Sequence, residues 1–383
     1  MKFLSILVKP VSGACNLDCK YCFYKELAEE LCDHQRMSFD TAHTLIDKAL
    51  ASGAQEVLFA FQGGEPLLAG ADFYQDFTDY VASHIGNTKV SYSVQTNGTL
   101  INDAYIQLFL QHNFLVGVSL DGPKFVHDKY RLTPKGGGTF ETVLTNARKM
   151  QDAGVAVNIL TVITNESALR AKKLYSFYRK YSFEFIQFIP CMDSIQVEQG
   201  SLDTSLTSEN YLKFLCELFK LWYRDLTVGN YVSIRHFDNW VRLMQHRSVD
   251  TCSLSGQCGS YFVVEANGDV YPCDFYVTHE WLLGSIFTHD FSQMLTALEQ
   301  SGFLVQSHLT RSEACADCPN ENLCRGGCKR DWVYEGQQGR SRYCAALNAF
   351  FTRYRGHLAA IARVCSRHKK KLPKESFFKF CSS

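Results

Sequence analysis

The chain carries no net charge, because 39 Lys and Arg balance 39 Asp and Glu over its 383 residues. With no excess of either sign, no global field draws in nucleic acid or an anionic membrane surface, and neither is expected as a partner. No apolar run reaches transmembrane length, and the start, Met1 to Pro10, is too short and too mixed for a signal peptide. The expectation is therefore a cytoplasmic protein without membrane attachment. A secreted disulfide scaffold is excluded on the same grounds, so the sixteen cysteines point to metal or redox chemistry in a reducing compartment. Hydrophobic content of 46% and charged content of 20% suit a globular protein long enough for a large core and two domains.

The cysteines are unevenly placed. Cys15, Cys19 and Cys22 form a C-x3-C-x2-C loop in Ala14–Glu26, directly after the apolar run Phe3–Val8. Three thiolates can hold three irons of a [4Fe–4S] cube and leave the fourth iron open to bind and activate a ligand. A structural zinc site would need a fourth Cys or His at local spacing, and none is there. Eight more cysteines lie between Cys252 and Cys344, which suggests two further, fully ligated clusters. The scattered Cys32, Cys191, Cys216, Cys365 and Cys381 are read as buried or unremarkable thiols.

Up to about residue 225, short β-branched or aromatic runs alternate with amphipathic stretches. The expected strands are Phe3–Val8, Glu56–Phe61, Lys89–Gln95, Leu115–Leu120, Val155–Val162 and Phe185–Pro190, with helices near 38–52, 72–85, 102–112, 139–152 and 167–180. Ser38 reads as an N-cap, and Ala51-Ser52-Gly53 as a stop. Alternating β and α elements with right-handed crossovers give a parallel sheet covered by helices. Six such units favour a partial barrel, although periodicity does not separate it from an open doubly wound sheet. In a barrel the loops after the strands carry the chemistry. Those loops are the three-cysteine loop, Gln62-Gly63-Gly64-Glu65-Pro66, Thr96-Asn97-Gly98 and Asp121-Gly122-Pro123. Gly63 and Gly64 allow close backbone approach, so this loop can meet a ligand's ammonium group with carbonyls and the Glu65 carboxylate. The domains expected are a barrel over 1–230, a mixed helical bridge over 231–250, a cysteine-rich domain over 251–345, and a C-terminal helix and tail over 346–383. Arg353, Arg355, Arg363, Arg367 and Lys369–Lys371 in that last segment could form a docking surface for a protein partner, but are read first as a solvated helix and frayed tail. His236 and His246 in the bridge are assigned no role.

The Cys15/Cys19/Cys22 loop, with Tyr21 before its last cysteine, resembles the radical S-adenosylmethionine superfamily, and Gly63-Gly64-Glu65-Pro66 after the second strand strengthens the match. The resemblance implies a partial (β/α)6 TIM-like barrel in which the open iron chelates the amino and carboxylate groups of S-adenosylmethionine. It also implies cofactor contacts from Tyr21, Gly63, Gly64 and Glu65, from Ser119 to the methionyl part, from Arg131 to the carboxylate, from Met192 as an apolar contact and from Asn97 near the ribose.

In the cysteine-rich region, Tyr261–Glu265 and Gly268–Pro272 flank a hairpin turning at Asn267-Gly268. The spacing that follows, Cys315-x2-Cys318-x5-Cys324-x3-Cys328-x15-Cys344, is loop-rich and needs bound metal to be stable. Two zinc sites satisfy the spacing as well as two clusters do. The pattern resembles the SPASM extension of peptide-modifying radical enzymes. That resemblance implies one auxiliary [4Fe–4S] cluster on Cys252, Cys258, Cys273 and Cys328 and another on Cys315, Cys318, Cys324 and Cys344, three clusters in all. The whole layout to about Cys344 looks most like the anaerobic sulfatase-maturating enzymes. These oxidise one Cys or Ser of a sulfatase to Cα-formylglycine after a 5′-deoxyadenosyl radical removes a Cβ hydrogen. Asp274, beside Cys273, matches the proton acceptor. The partners implied are an unfolded or nascent sulfatase peptide of Cys/Ser-x-Pro-x-Arg type and a low-potential electron donor such as flavodoxin or ferredoxin. Competing readings are a SPASM maturase forming thioether or carbon–carbon crosslinks, disfavoured by the lack of room for a peptide-recognition domain before Cys15, and a non-catalytic iron–sulfur or zinc scaffold.

Overall fold

A computed structural model describes residues 2–25, 36–259, 261–304 and 311–367. Cys32, Cys381 and the lysine run Lys369–Lys371 lie outside them. The chain forms two compact units. The first comprises Met1–Leu160, Asp193–Glu198 and Cys258–Gln306, and the second comprises Thr161–Met192, Gln199–Gln257 and Ser307–Ser383.

The first unit is built on β1 (Phe3–Val8), β2 (Glu56–Phe61), β3 (Lys89–Thr96), β4 (Leu115–Ser119) and the start of β5 (Ala156–Ile163), all parallel and paired in chain order. Leu4, Ile6 and Val8 of β1 and Val57, Phe59 and Phe61 of β2 alternate into the core, as the twofold period of a strand requires. Crossing helices cover the sheet: α1 (Phe39–Ala51), α2 (Ala71–His84), α3 (Asp103–Gln111), α4 (Lys124–Tyr130) and α5 (Phe140–Asp152). Ser38 caps α1, its Oγ accepting from Thr41 N at 3.0 Å, and the helix stops at Ser52 before Gly53 at φ +73°. Phe59, Phe61, Phe73, Tyr74, Phe77 and Phe114 fill the interface of sheet and helices with ring centroids 5.0–6.5 Å apart. The register aligns Val8 with Phe61, Phe61 with Val94, and Thr96 with Val118. β1 to β4 therefore end on the same rim.

The hairpin expected in a separate cysteine-rich domain is instead part of this sheet. β6 (Phe185–Pro190) and β7 (Ser233–Ile234) come before it in the chain; the hairpin is β8 (Phe262–Val264) and β9 (Asp269–Tyr271), followed by β10 (Gly284–Ser285) and α9 (Phe291–Gln300). β8 runs parallel to β1, with Ile6 opposite Phe262 and Val8 opposite Val264, and β9 and β10 continue antiparallel. The reason is burial: Phe262, Val263 and Val264 are all apolar and enclosed, and β1 would otherwise present an unpaired edge. The linear boundary at residue 250 therefore does not follow the compact units.

In the second unit β6 and β7 pair in parallel. α6 (Ala171–Lys180), α7 (Ser208–Thr227) and α8 (Arg235–Met244) follow their strands and loops, and the expected bridge resolves into β7 and α8. The hairpin β11 (Trp332–Glu335) and β12 (Gln338–Ser341) leads into α10 (Cys344–Arg367). That last helix is not simply solvated: Ala346, Phe350, Phe351, Tyr354, Leu358, Ile361, Ala362 and Cys365 form a buried stripe. Phe350 lies 5.6 Å from Phe219 and 5.1 Å from Trp240 between ring centroids, which ties α10 to α7 and α8. No helix among the described residues is long and apolar enough to cross a membrane. Removing the fully enclosed Phe350 ring opens a cavity between three helices. Phe350→Ala is expected to lower unfolding stability by about 3–5 kcal/mol, measured by denaturant titration against wild type.

Candidate active site

The rim of the first unit collects the loops that follow β1 to β4. After β1 the chain passes Lys9 and turns through Ser12, at φ +45°, into the three-cysteine loop. This loop is held on three sides. Gly64 N donates to Ser12 O at 2.9 Å and Glu65 N to Ala14 O at 2.8 Å. Asn97 Nδ2 donates to Asn16 Oδ1 at 2.8 Å, and Asn16 Nδ2 donates to Thr99 Oγ1 at 2.9 Å. On the third side Asp18 N and Lys20 N donate to the carbonyls of Leu132 and Tyr130.

Glycine is required where the second loop meets the first. Gly63 sits at φ +130°, and a Cβ there would lie 2.5 Å from Ser12 O; one on Gly64 would overlap Ala14 O. The two backbones are pressed together with no room for side chains, and the loop carbonyls stay at close range to whatever the rim binds.

Glu65 has a structural part that its motif did not reveal. Its carboxylate is fully buried and accepts from Leu67 N at 3.0 Å, Thr96 Oγ1 at 2.8 Å and Asn97 N at 2.6 Å. Burial pushes it up to about 7, while the three donors pull it back. It is a brace fixing the Gly63-Gly64 loop and Asn97 to each other.

Arg131 is likewise engaged. Its Nε donates to Asp121 Oδ2 at 2.9 Å, and the Tyr21 hydroxyl donates to the same oxygen. The guanidinium lies 5.5 Å from the Tyr21 ring centroid. His127, which sequence reasoning passed over, locks this group. Its Nδ1 accepts from Asp121 N, and its Nε2 pairs with Thr139 Oγ1, which itself donates to Arg131 O. That pattern requires the proton on Nε2 of a neutral ring, and burial holds His127 down at about 4. Ser119 ends β4, buried on the same rim. Met192 lies just after β6 in the second unit, half-buried.

The cysteines fit iron–sulfur ligation. Leu17 N lies 3.4 Å and Asn97 Nδ2 3.9 Å from Cys15 Sγ, so N–H groups already address the sulfur. Desolvation pushes Cys19 up to about 12, with Arg131 opposing and Cys22 and Cys15 adding to it. The three thiols are thus close enough to repel as anions, and cationic iron would relieve both penalties. In the second unit Cys344, Cys315 and Cys318 each raise Cys324, which reaches about 11 through burial. These four thiols share one neighbourhood. Cys258 and Cys273 belong to the first unit, and Cys252 and Cys328 to the second. Among the described residues no three Cys, His, Asp or Glu side chains are closed around a single ion.

Asp274 follows Cys273 after the β8–β9 hairpin and is buried. Its Oδ1 lies 2.5 Å from Lys9 Nζ, and its Oδ2 accepts from Gln62 Nε2 at 3.1 Å. Lys9 is fully enclosed, 3.4 Å from Glu265 Oε1 and 3.5 Å from the Tyr24 ring centroid. Tyr24 OH donates to Glu265 Oε1 at 2.8 Å. The neighbouring carboxylates and Tyr24 hold Lys9 firmly in its charged form against the desolvation that opposes it. Sequence reasoning placed Gln62 in a functional loop without giving it a part and missed Lys9, Tyr24 and Glu265; the one local signal was a lysine directly following a buried apolar strand. Lys9→Met leaves two carboxylates buried without a cation and is expected to cost about 3–5 kcal/mol. Adding Asp274→Asn and Glu265→Gln to it should recover part of that loss in denaturant titrations.

A family model described as the radical SAM superfamily matches residues 10–177, and one described as an iron–sulfur cluster-binding domain, SPASM, matches residues 252–319. The chain is 39% identical to a cysteine-type anaerobic sulfatase-maturating enzyme of Clostridium novyi (strain NT), over 95% of this chain and 98% of that protein. It is 30% identical to a serine-type anaerobic sulfatase-maturating enzyme of Bacteroides thetaiotaomicron, over 91% and 89%. The solved structure of native anSMEcpe with bound AdoMet and Cp18Cys peptide superposes with a TM-score of 0.90 at 35% identity, covering 95% of this chain and 99% of that one. The fold is thus a radical SAM TIM-like α/β fold with a SPASM domain. With matches this extensive at both ends of the sequence, the chain belongs to the family of anaerobic sulfatase-maturating enzymes.

Proposed function

We propose that the protein oxidises a cysteine of a sulfatase peptide to Cα-formylglycine in a reducing cytoplasm. The observation that carries this reading is Asp274, buried next to Cys273 and aimed by Lys9 and Gln62 on the sheet that also bears the three-cysteine loop. Bound at that loop, S-adenosylmethionine and a [4Fe–4S] cluster would supply a 5′-deoxyadenosyl radical that takes a hydrogen atom from Cβ of the target residue. Cys15, Cys19 and Cys22 would hold the cluster, with Gly63, Gly64 and Asn97 shaping the cofactor's seat and Arg131 and Tyr21 closing its flank. Cys252, Cys258, Cys273 and Cys328 would hold one auxiliary cluster, and Cys315, Cys318, Cys324 and Cys344 the other.

What the chain itself adds is a place for the proton. After hydrogen abstraction the substrate must lose a proton and an electron to become a thioaldehyde, which water converts to formylglycine with release of hydrogen sulfide; the electron would pass to an auxiliary cluster held by the downstream cysteines. Asp274 is the group positioned to take that proton. Two carboxylates around one ammonium carry a single net negative charge, so the arriving proton leaves a neutral cluster in a buried setting. Gln62 and Lys9 keep the carboxylate from rotating away. They are positioning residues.

Cysteine is favoured over serine as the target because identity is 39% to the cysteine-type relative and 30% to the serine-type one. A peptide substrate is supported by the similar structure solved with one. Mass spectrometry of Cys-x-Pro-x-Arg and Ser-x-Pro-x-Arg peptides after anaerobic incubation should show conversion of the cysteine peptide first. A crosslinked product without the mass loss of formylglycine would reject the reading. Asp274→Asn is expected to lower product at least tenfold while S-adenosylmethionine cleavage continues; undiminished product would remove Asp274 from its role. In a separate check, reconstituted protein should carry about twelve irons, and zinc in their place would reject the auxiliary clusters.

A further inference from the structure

The chain is neutral, yet α10 carries Arg353, Arg355, Arg363 and Arg367 and not one Asp or Glu over 24 residues. Its apolar stripe is buried, which turns the other face outward: Asn348, Thr352, Arg353, His357 and Arg363 are exposed there. The helix is also wired to the second cysteine set. Cys344 is its first residue. Arg355 Nη1 donates to Pro319 O at 2.6 Å and to Asn320 Oδ1 at 3.0 Å, directly after Cys318, and Asn320 Nδ2 donates to Asn348 Oδ1 at 2.7 Å. Arg355 is thus spent on the ligand loop, and Arg353, though exposed, turns one Nη toward Cys216 Sγ of α7 at 3.8 Å, which leaves Arg363 as the more outward of the two. Arg353 and Arg363 stand about 14 Å and 28 Å along the axis from Cys344, at 1.5 Å per residue, and no carboxylate lies on the helix between them.

We propose that this face of α10 is the docking surface for an acidic one-electron carrier protein. The inference rests on the radical reading above, since that chemistry takes in one low-potential electron for each cofactor cleavage and releases one electron for each substrate radical oxidised. A protein carrier must bring its redox centre near a cluster to exchange that electron, and the second cysteine set is the one whose loop the helix flanks. Positive charge on a helix without acids of its own attracts an acidic surface, speeds encounter and sets orientation, while leaving release fast enough for repeated visits. A solvated structural helix would have no need to exclude acids, and paired charges at i and i+4 would stabilise it better.

The test is binding of a purified acidic bacterial flavodoxin to the anaerobically reconstituted holoenzyme, by titration calorimetry at low and high salt. Wild type is expected to bind with an affinity that falls as salt rises. Arg353→Glu combined with Arg363→Glu should weaken binding at least tenfold at low salt and flatten the salt dependence. Lys172→Glu, an exposed charge reversal on α6, should leave binding unchanged. Should the double variant lose iron, Arg363→Glu alone decides, with a several-fold loss expected. No binding by wild type, equal binding by the α10 variants, or equal loss in Lys172→Glu would each overturn the proposal. Dithionite replaces the carrier, so the α10 variants should match wild-type peptide oxidation with that reductant. If wild type with dithionite makes no formylglycine, the reaction assignment fails, whereas the binding comparison still decides the surface.

Discussion

One buried ammonium group holds the first unit's site together. Lys9 sits at the end of β1 and is reached by Asp274 and Glu265 from either end of the β8–β9 hairpin, more than 250 residues later in the chain. Each group alone would be costly in an apolar interior, because a charge without a partner loses its hydration for nothing. Together they are mutually dependent, with Gln62 donating to the Asp274 oxygen that Lys9 does not face and Tyr24 sharing Glu265 Oε1 with the ammonium. Hydrophobic pairing of β8 with β1 brings the hairpin to the sheet, and the charge cluster fixes where along it the hairpin sits. Sliding the hairpin by one residue would point Asp274 and Glu265 to the wrong face and strand Lys9 in the core.

A second constraint is steric. The Gly63-Gly64 loop and Ser12–Ala14 touch through backbone alone, so the position of the three-cysteine loop is dictated by the end of β2. Glu65 then transmits that position to the end of β3 through Asn97, which reaches back to Asn16 and Cys15. Three strand ends are closed into one ring of hydrogen bonds. Such a ring keeps donors and carbonyls pre-aligned for a ligand, so less ordering remains to be done on binding. The cost of burying Glu65 is met by its three donors.

What the sequence revealed was local. β1, β2 and β6 have the ends expected from apolar runs, and the Asn267-Gly268 turn lies where its residue type demands a positive φ. α7 was legible too, since Tyr211, Phe214, Leu215, Leu218, Phe219 and Trp222 recur at helical spacing behind the Thr207 cap, yet no motif drew notice to it. The partnership of Lys9 with Asp274, and of β1 with β8, could not be seen. Nothing in a single sequence couples residues that far apart, and a lysine after a strand is ordinarily a solvated one. Asp121-Gly122-Pro123 reads as an ordinary turn, and only the fold shows Asp121 holding Tyr21 and Arg131 together.

The same distinction explains why the expected site residues fall into two kinds. Gly63 and Gly64 were identifiable because backbone chemistry is written in the residue itself: a missing Cβ is missing in every context. Glu65 and Arg131 carry charges, and what a charge does depends on which partner the fold brings to it. Both were read as reaching outward to a ligand, and both turn inward first, Glu65 to three donors and Arg131 to Asp121. A charge that is already paired contributes by fixing geometry and local potential. An unpaired one would have to be desolvated and ordered each time a ligand bound. In this protein, then, the charged motif residues and the glycines build a rigid seat, just as Lys9 fixes the two carboxylates that flank it.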